Sequence, residues 1–304
     1  MDASGILNID KPSGWTSFQV VAWVRRHSGA RKVGHAGSLD PAATGVLLVC
    51  VGQAVRISQY LMDLTKSYRA EIALGTATET YDAEGEPTFH GDYSWVDEKQ
   101  LRQTLSEFVG EIDQIPPAYS AVKRGGRPAY EYARSGRTVT LTARKAVVQR
   151  LDLLTFTPPI LTIGVECGKG TYIRSLAHDL GQSLGCGAHL KSLVRLGIGP
   201  FTLKEAHPLN ELEIAFQQGD WQKLLLPLEL GLGQLPAVSL DMEEERDMRY
   251  GIPLQKNLSR GAHTIDTNDR QRVRAYAEDG SFVGILRFEA SLGLWRPEKV
   301  FLQP

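Results

Sequence analysis

The chain has 304 residues, a net charge of -1 at neutral pH and 42% hydrophobic residues, enough to build one large or two ordinary domains around real cores. No apolar run approaches the length needed to span a bilayer, and the opening MDASGILNIDKP lacks a basic flank, apolar segment and cleavage site, so a cytoplasmic globular protein is expected. Cys50, Cys167 and Cys186 are odd in number and lie in or beside apolar runs, which predicts buried free thiols, and without a CxxC pair or an HExxH run no metal site of those kinds is expected.

Ile6 to Ile9 reads as a short strand and Lys11-Pro12-Ser13-Gly14 as a turn. Thr16 or Ser17 can cap a helix whose apolar face is Phe18, Val20, Val21 and Val24 and which Gly29 ends. The stretch from Gly34 to Leu48, GHAGSLDPAATGVLL, crowds Gly34, Gly37, Pro41 and Gly45 around one carboxylate, Asp40, so the backbone should turn sharply and pass close to something. Pro41 biases Asp40 toward an extended conformation, and Val46 to Val51 reads as a buried strand that supports the loop. A lone Asp-Pro pair is more often an Asx-turn serving backbone N–H groups; here His35 and the density of glycine point to chemistry.

Ile57, Tyr60, Leu61 and Leu64, spaced three and four apart, predict a second amphipathic helix. Ser67 to Leu74 alternates as a strand with Tyr68, Ala70, Ile72 and Leu74 on one face. Asp82 to Glu86 is a turn, and Val96 to Val109 a helix opened by Asp97 and closed by Gly110. The segment from Ile115 to Gly136 is extended or looped in its first half and basic in its second. From Lys123 to Arg150 eight basic residues stand against one acid, Glu131, with Tyr119, Tyr130 and Tyr132 nearby, which suits the phosphates and unstacked bases of looped RNA. Arg25, Arg26, Arg31 and Lys32 form a smaller cluster that reads as a solvated face.

Val147 to Phe156 and Leu161 to Cys167 are strands on either side of Pro158-Pro159, expected to pair. Gly168 to Leu184 opens on glycine, offers Thr171 as a cap and places Ile173, Leu176, Ala177, Leu180 and Leu184 on one helical side. Arg174, on the first turn, is by spacing alone a solvated charge, and a guanidinium aimed into a cleft is the alternative. From about Leu235 the chain opens with acids between Asp241 and Asp247. It then offers a hairpin, Val273 to Ala277 and Phe282 to Phe288, around an Asp279-Gly280 turn. With Leu254 and Ile265 these strands predict a small β-barrel of roughly seventy residues.

GHAGSLDPAATGVL closely resembles the active-site motif of the bacterial tRNA pseudouridine synthase family called TruB. LNIDKPSGWTS, KSYRAEIALG, TYDAEG, PPAYSAVKRGGRPAYEYAR, GTYIRSLAHDLG and LVRLGIGPF are similar to further blocks of that family, so the resemblance runs through most of residues 5 to 205. Ser38 stands where threonine or alanine is common, and Cys167-Gly168-Lys169 precedes GTYIR where Cys-Ser is usual. MRYGIPL and WRPEKVF resemble the PUA domain carried at the C-terminus of many of these enzymes.

The resemblance implies an α+β pseudouridine synthase fold over residues 1–233, a mixed, mostly antiparallel sheet with flanking helices, and a PUA-like RNA-binding β-barrel over residues 234–304. It implies isomerisation of uridine 55 in the T loop of tRNA, with the base flipped into a pocket. Asp40 would be the nucleophile, Tyr68 would stack on the uracil, and Arg174 would poise Asp40 while itself oriented by Asp82. His35 would insert among the loop bases, with Lys11 and Leu193 shaping the pocket. The tRNA T stem-loop is the expected partner, with no cofactor, no membrane and no obligatory protein partner, and the chain is expected to be a monomer. A tRNA-binding chaperone without essential catalysis is the alternative, and it predicts that Asp40→Asn keeps its effect. A carboxylate glycoside hydrolase would need a second acid facing Asp40.

Overall fold

The unbroken apolar run after the Asp40 loop becomes an interior strand of the main sheet because both of its faces are covered: Val46, Leu48 and Cys50 pack on one side, Leu47, Val49 and Val51 on the other. The computed structural model describes residues 3–120, 122–124, 127–134, 141–255 and 268–301. Arg137 and Ile265 lie outside the described residues, and only the backbone is described for Lys123, Arg124, Arg127, Tyr130 and Arg134.

The chain runs β1 (Gly5–Lys11), α1 (Ser17–Ser28), β2 (Val33–His35), β3 (Thr44–Val51), α2 (Ser58–Asp63), β4 (Lys66–Leu74), and a small hairpin of β5 (Thr76–Thr78) and β6 (Pro87–His90). It continues with α3 (Glu98–Glu107), β7 (Gly110–Gln114), β8 (Lys123–Arg124), β9 (Arg127–Pro128), α4 (Ala129–Arg134), β10 (Arg144–Thr157), β11 (Ile160–Cys167) and α5 (Ile173–Ser183). β12 (Ala188–Ile198), β13 (Phe201–Thr202), β14 (His207–Pro208) and α6 (Leu209–Gln218) complete the first part. The tail carries β15 (Ala237–Ser239), α7 (Met242–Arg249), β16 (Leu254–Gln255), β17 (Arg272–Tyr276), β18 (Phe282–Glu289) and β19 (Leu294–Val300).

A ten-stranded sheet follows the path β14-β1-β3-β12-β4-β11-β10-β7, with β2 on β3 and β13 on β12. Within it only β1–β14 and β3–β12 pair in parallel, so the fold is α+β on a mixed, mostly antiparallel sheet, as expected. The alternation read in β4 is real: Tyr68, Ala70, Ile72 and Leu74 enter one core with Ile173, Leu176, Ala177 and Leu180 of α5. β10 and β11 pair antiparallel across Pro158-Pro159. All three cysteines are buried and free.

Three local expectations are corrected, and one helix is added. Phe18 is 71% exposed because Ser17 takes the inward position, exchanging hydrogen bonds with the backbone of Leu39, while Val20, Val21 and Val24 fill the core as read. The helix expected to reach Val109 stops at Glu107 with Phe108 as its cap, and Gly110, at φ +105°, begins an edge strand instead. Thr171 does not cap α5: its hydroxyl donates to the Gly168 carbonyl, and Gln114 Oε1 instead accepts from Tyr172 N at 2.7 Å. The acids after Asp241 form α7, with Asp241 as its N-cap.

The tail strands form a five-stranded sheet ordered β15-β17-β18-β19-β16, and its central hairpin falls where the Asp-Gly turn put it. This sheet is packed onto the first part: Ile285 and Phe301 share a core cluster with Ile57, Tyr60 and Leu61. Burial works against the charge of Glu298, but hydrogen bonds from Arg272 and from the Tyr60 hydroxyl outweigh it and hold this carboxyl below its ordinary pKa. Among the described residues no helix is long and apolar enough to cross a membrane.

Candidate active site

The loop between β2 and β3 is fixed from four directions before Asp40 meets any other side chain. Ser17 holds Leu39, and Gly14 N donates to the Pro41 carbonyl at 2.9 Å. Lys11, fully buried at the end of β1, spends its three ammonium hydrogens on the carbonyls of Pro12, Trp15 and Pro41 at 2.8, 2.7 and 3.0 Å. Arg195 of β12, 1% exposed, donates to the carbonyls of Val46, Ser38 and Gly37 at 2.6, 3.2 and 3.1 Å. A loop held this way presents its carboxylate with little freedom left to lose.

The β3–β12 junction leaves no room for error beside it. Gly45 has φ +98°, and a Cβ placed there would lie 2.2 Å from the Arg195 carbonyl oxygen. The parallel pairing of Arg195 with Gly45 therefore requires glycine, which accounts for one residue of the crowded motif.

Arg174, on the first turn of α5 and with only 7% of its side chain exposed, joins two carboxylates. Its Nη2 donates to Asp40 Oδ1 at 3.3 Å, and its Nε lies 2.9 Å from Asp40 Oδ2. That second approach is off the N–H direction, so it is an ionic contact and not a second hydrogen bond. Nη1 donates to Asp82 Oδ2 and to the Thr80 carbonyl, both at 3.3 Å, and Nη2 also donates to the Tyr119 carbonyl at 2.9 Å. The spacing alone suggested a solvated arginine; the structure buries it because Ile173 and Leu176 beside it dive into the core and draw the first turn inward.

Asp40 is 47% exposed at its side chain, open toward a cavity of about 1060 Å³. Desolvation raises its pKa above the ordinary carboxylate value, with Arg174 opposing the shift and Asp82 adding to it. Tyr68, 9% exposed, lines the same cavity, as do Leu193, Arg174 and Arg195. Burial pushes the Tyr68 phenol up, so it stays protonated at neutral pH, while the nearby charge of Arg195 opposes the shift.

Asp40, Tyr68, Arg174 and Leu193 thus meet around one cavity, and Asp82 stands behind the guanidinium. Lys11 and His35 do not line it: Lys11 clasps the loop from behind, and His35 on β2 has a buried Nδ1 without a hydrogen-bond partner. Sequence reasoning passed over Arg195, although a charged residue between Val194 and Leu196 in an apolar strand was a visible signal. Among the described residues no cluster of His, Cys, Asp and Glu could hold a metal.

A mixed sheet with an aspartate from a strand-connecting loop and an arginine from a flanking helix at one wall of an open cavity is the architecture of a pseudouridine synthase. Two solved structures share the fold: an H/ACA RNP bound to a substrate RNA containing 2'-deoxyuridine and a Cbf5–Nop10–Gar1 complex. The first has a TM-score of 0.74 at 26% identity and covers 98% of this chain and 85% of that one. The second has 0.72 at 27%, covering 99% and 84%. The model of the TruB family pseudouridylate synthase N-terminal domain matches residues 25–173, and that of the tRNA pseudouridylate synthase B C-terminal domain matches residues 174–233. A tRNA pseudouridine synthase B of Dehalococcoides mccartyi is 46% identical over 300 residues, 98% of this chain and 97% of the relative. One from Burkholderia mallei is 42% identical over 296 residues, 97% and 96%. The chain belongs to the TruB family of pseudouridylate synthases.

Proposed function

We propose that this enzyme isomerises uridine 55 in the T loop of tRNA, with Asp40 as the nucleophile. The observation that carries the reading is the Asp40 carboxylate, ion-paired to a buried arginine on its inner side and open to a cavity on its outer side. The relatives named tRNA pseudouridine synthase B support tRNA as the substrate class, and the resemblance of GHAGSLDPAATGVL to the TruB active-site motif supports the reading of position 55 and of Asp40.

The reaction exchanges one bond for another. The N1–C1′ glycosidic bond breaks, the uracil turns without leaving, C5 bonds to C1′, and the proton on C5 passes to solvent. A uridine stacked in a loop must first be everted, at a cost of about a few kcal/mol. Asp40 then forms a covalent bond to the sugar or to the base, which its charge allows at neutral pH because Arg174 opposes the desolvation of the site, and that bond breaks again to free the carboxylate once C5 is joined to C1′. Tyr68 offers a ring face to the uracil, and Leu193 closes the apolar side so that the detached base is retained. Asp82 holds Arg174 at the end away from the substrate and has no free position from which to act as a facing acid, which disfavours glycoside hydrolysis. Residues 234–304 would form a PUA-like RNA-binding domain. The enzyme would work on tRNA in the cytoplasm as a monomer.

Tritium release from an unmodified tRNA transcript carrying 5-tritiated uridine tests the assignment. Release should approach one equivalent per tRNA and vanish when position 55 is made cytidine. Undiminished release from that transcript would contradict the position, and none from either would contradict the activity.

A further inference from the structure

The carboxylate that orients Arg174 is presented by a backbone that ought not to be stable on its own. Tyr81, immediately before Asp82, sits in the left-handed region at φ 64°. Arg270, at φ 66°, is the other non-glycine residue there among those described. A tyrosine in that region is strained and persists where its surroundings hold it. The reversal it makes has a visible product: the Thr80 carbonyl and the Asp82 carboxylate both converge on one nitrogen, Nη1 of Arg174.

What holds Tyr81 is on α5. Its ring lies flat on the imidazole of His178, with centroids 3.9 Å apart and planes 14° from parallel. His178 is one helical turn beyond Arg174, so it shares the face that looks at this segment. The histidine ring is not fixed through Nδ1, which is buried without a partner, and burial lowers its pKa, so the stack is between neutral rings. The backbone around it is pinned as well: Leu190 N donates to the Tyr81 carbonyl at 2.9 Å, and Asp82 Oδ1 accepts from Glu84 N at 3.1 Å. One helix therefore grips the segment twice, through Arg174 on either side of Tyr81 and through His178 on Tyr81 itself.

We propose that the Tyr81–His178 stack is a clamp that keeps Asp82 under Arg174 and thereby keeps the guanidinium aligned with Asp40. Both residues are positioning residues: neither lines the cavity, and they act on the reaction through Asp82. The inference rests on the reading of Asp40 as the nucleophile of a pseudouridine synthase.

The test compares Tyr81→Gly, His178→Ala, Tyr81→Phe and His178→Phe with the parent enzyme, measuring single-turnover rate, affinity for tRNA and thermal unfolding. Glycine accepts the left-handed backbone but has no ring, so Tyr81→Gly separates the stack from simple backbone disruption. The clamp predicts a rate lowered roughly tenfold or more in Tyr81→Gly and His178→Ala, with tRNA affinity within about twofold of the parent, and near-parental rates in the two phenylalanine variants. Parental rates in both ring-deleted variants would overturn the proposal. So would affinity and unfolding temperature falling in step with rate, or a failure of both phenylalanines to restore it. A parent enzyme that does not act on tRNA, or an Asp40→Asn enzyme that does, would instead overturn the reading on which the clamp rests.

Discussion

Arg174 sits between two carboxylates of unequal freedom. Asp82 is 19% exposed at its side chain and has hydrogen-bond partners on both oxygens, whereas Asp40 is 47% exposed and faces the cavity. The arginine end that meets Asp82 is therefore fixed, and the end that meets Asp40 is the one that faces the cavity. This has a consequence for pH. Desolvation raises the Asp40 pKa, and Asp40 as the proposed nucleophile would act in its ionised form, so turnover should fall as pH drops through a value above that of an ordinary aspartate. On the alkaline side burial lowers Lys11 to about 8. Above that pH its neutral amine has too few hydrogens for the three carbonyls it now serves, and the clasp on Pro41 loosens. A pH–rate profile should therefore decline above about 8, and Lys11→Arg, which does not titrate in this range, should extend the plateau. An unchanged alkaline limb in that variant would assign it to Lys66, also lowered to about 8.

At the scale of elements, the β3–β12 junction is the part least tolerant of change. Gly45→Ala would force a methyl against the Arg195 carbonyl and demand a left-handed alanine, so it should destabilise the fold by about 3 kcal/mol or more in urea titration. A loss below about 1 kcal/mol would show that the strand can shift away from the contact. The elements legible in the sequence were those with a strong period or a clear cap. β4 alternates, α1 is capped by Thr16 and Gly29, and the tail hairpin turns on Asp-Gly. β7 was missed because GEIDQ is an edge strand with mostly exposed side chains, so no apolar period marks it. α7 was missed for the same reason, with Met248 as its buried residue. The placement of Asp40 beside Arg174 was not in any spacing: these residues are brought together by strand order, and it was the motif resemblance that paired them. Arg195, Tyr81 and His178 lie inside blocks similar to the family, but no role was attached to them there, and their contacts emerged only from the packing.

For the molecule as a whole, a net charge of -1 must be reconciled with a polyanionic substrate, and the answer is distribution. Part of the basic stripe is already neutralised: Lys145 pairs with Asp113 and Glu111, and Arg150 with Asp152. Arg127 and Arg134 lie in the part of the stripe that precedes β10, where Glu131 is the one acid. Replacing both with glutamine should weaken tRNA binding and flatten its dependence on salt, by about one to two units in the log–log slope. An unchanged slope would remove them from the RNA path. The account as a whole depends on Asp40 being the group that attacks, and the most direct measurement is tritium release by Asp40→Asn alongside its affinity for the same tRNA. Affinity within a few-fold of the parent and no detectable release is the predicted result, whereas sustained turnover by the asparagine enzyme would contradict the mechanism.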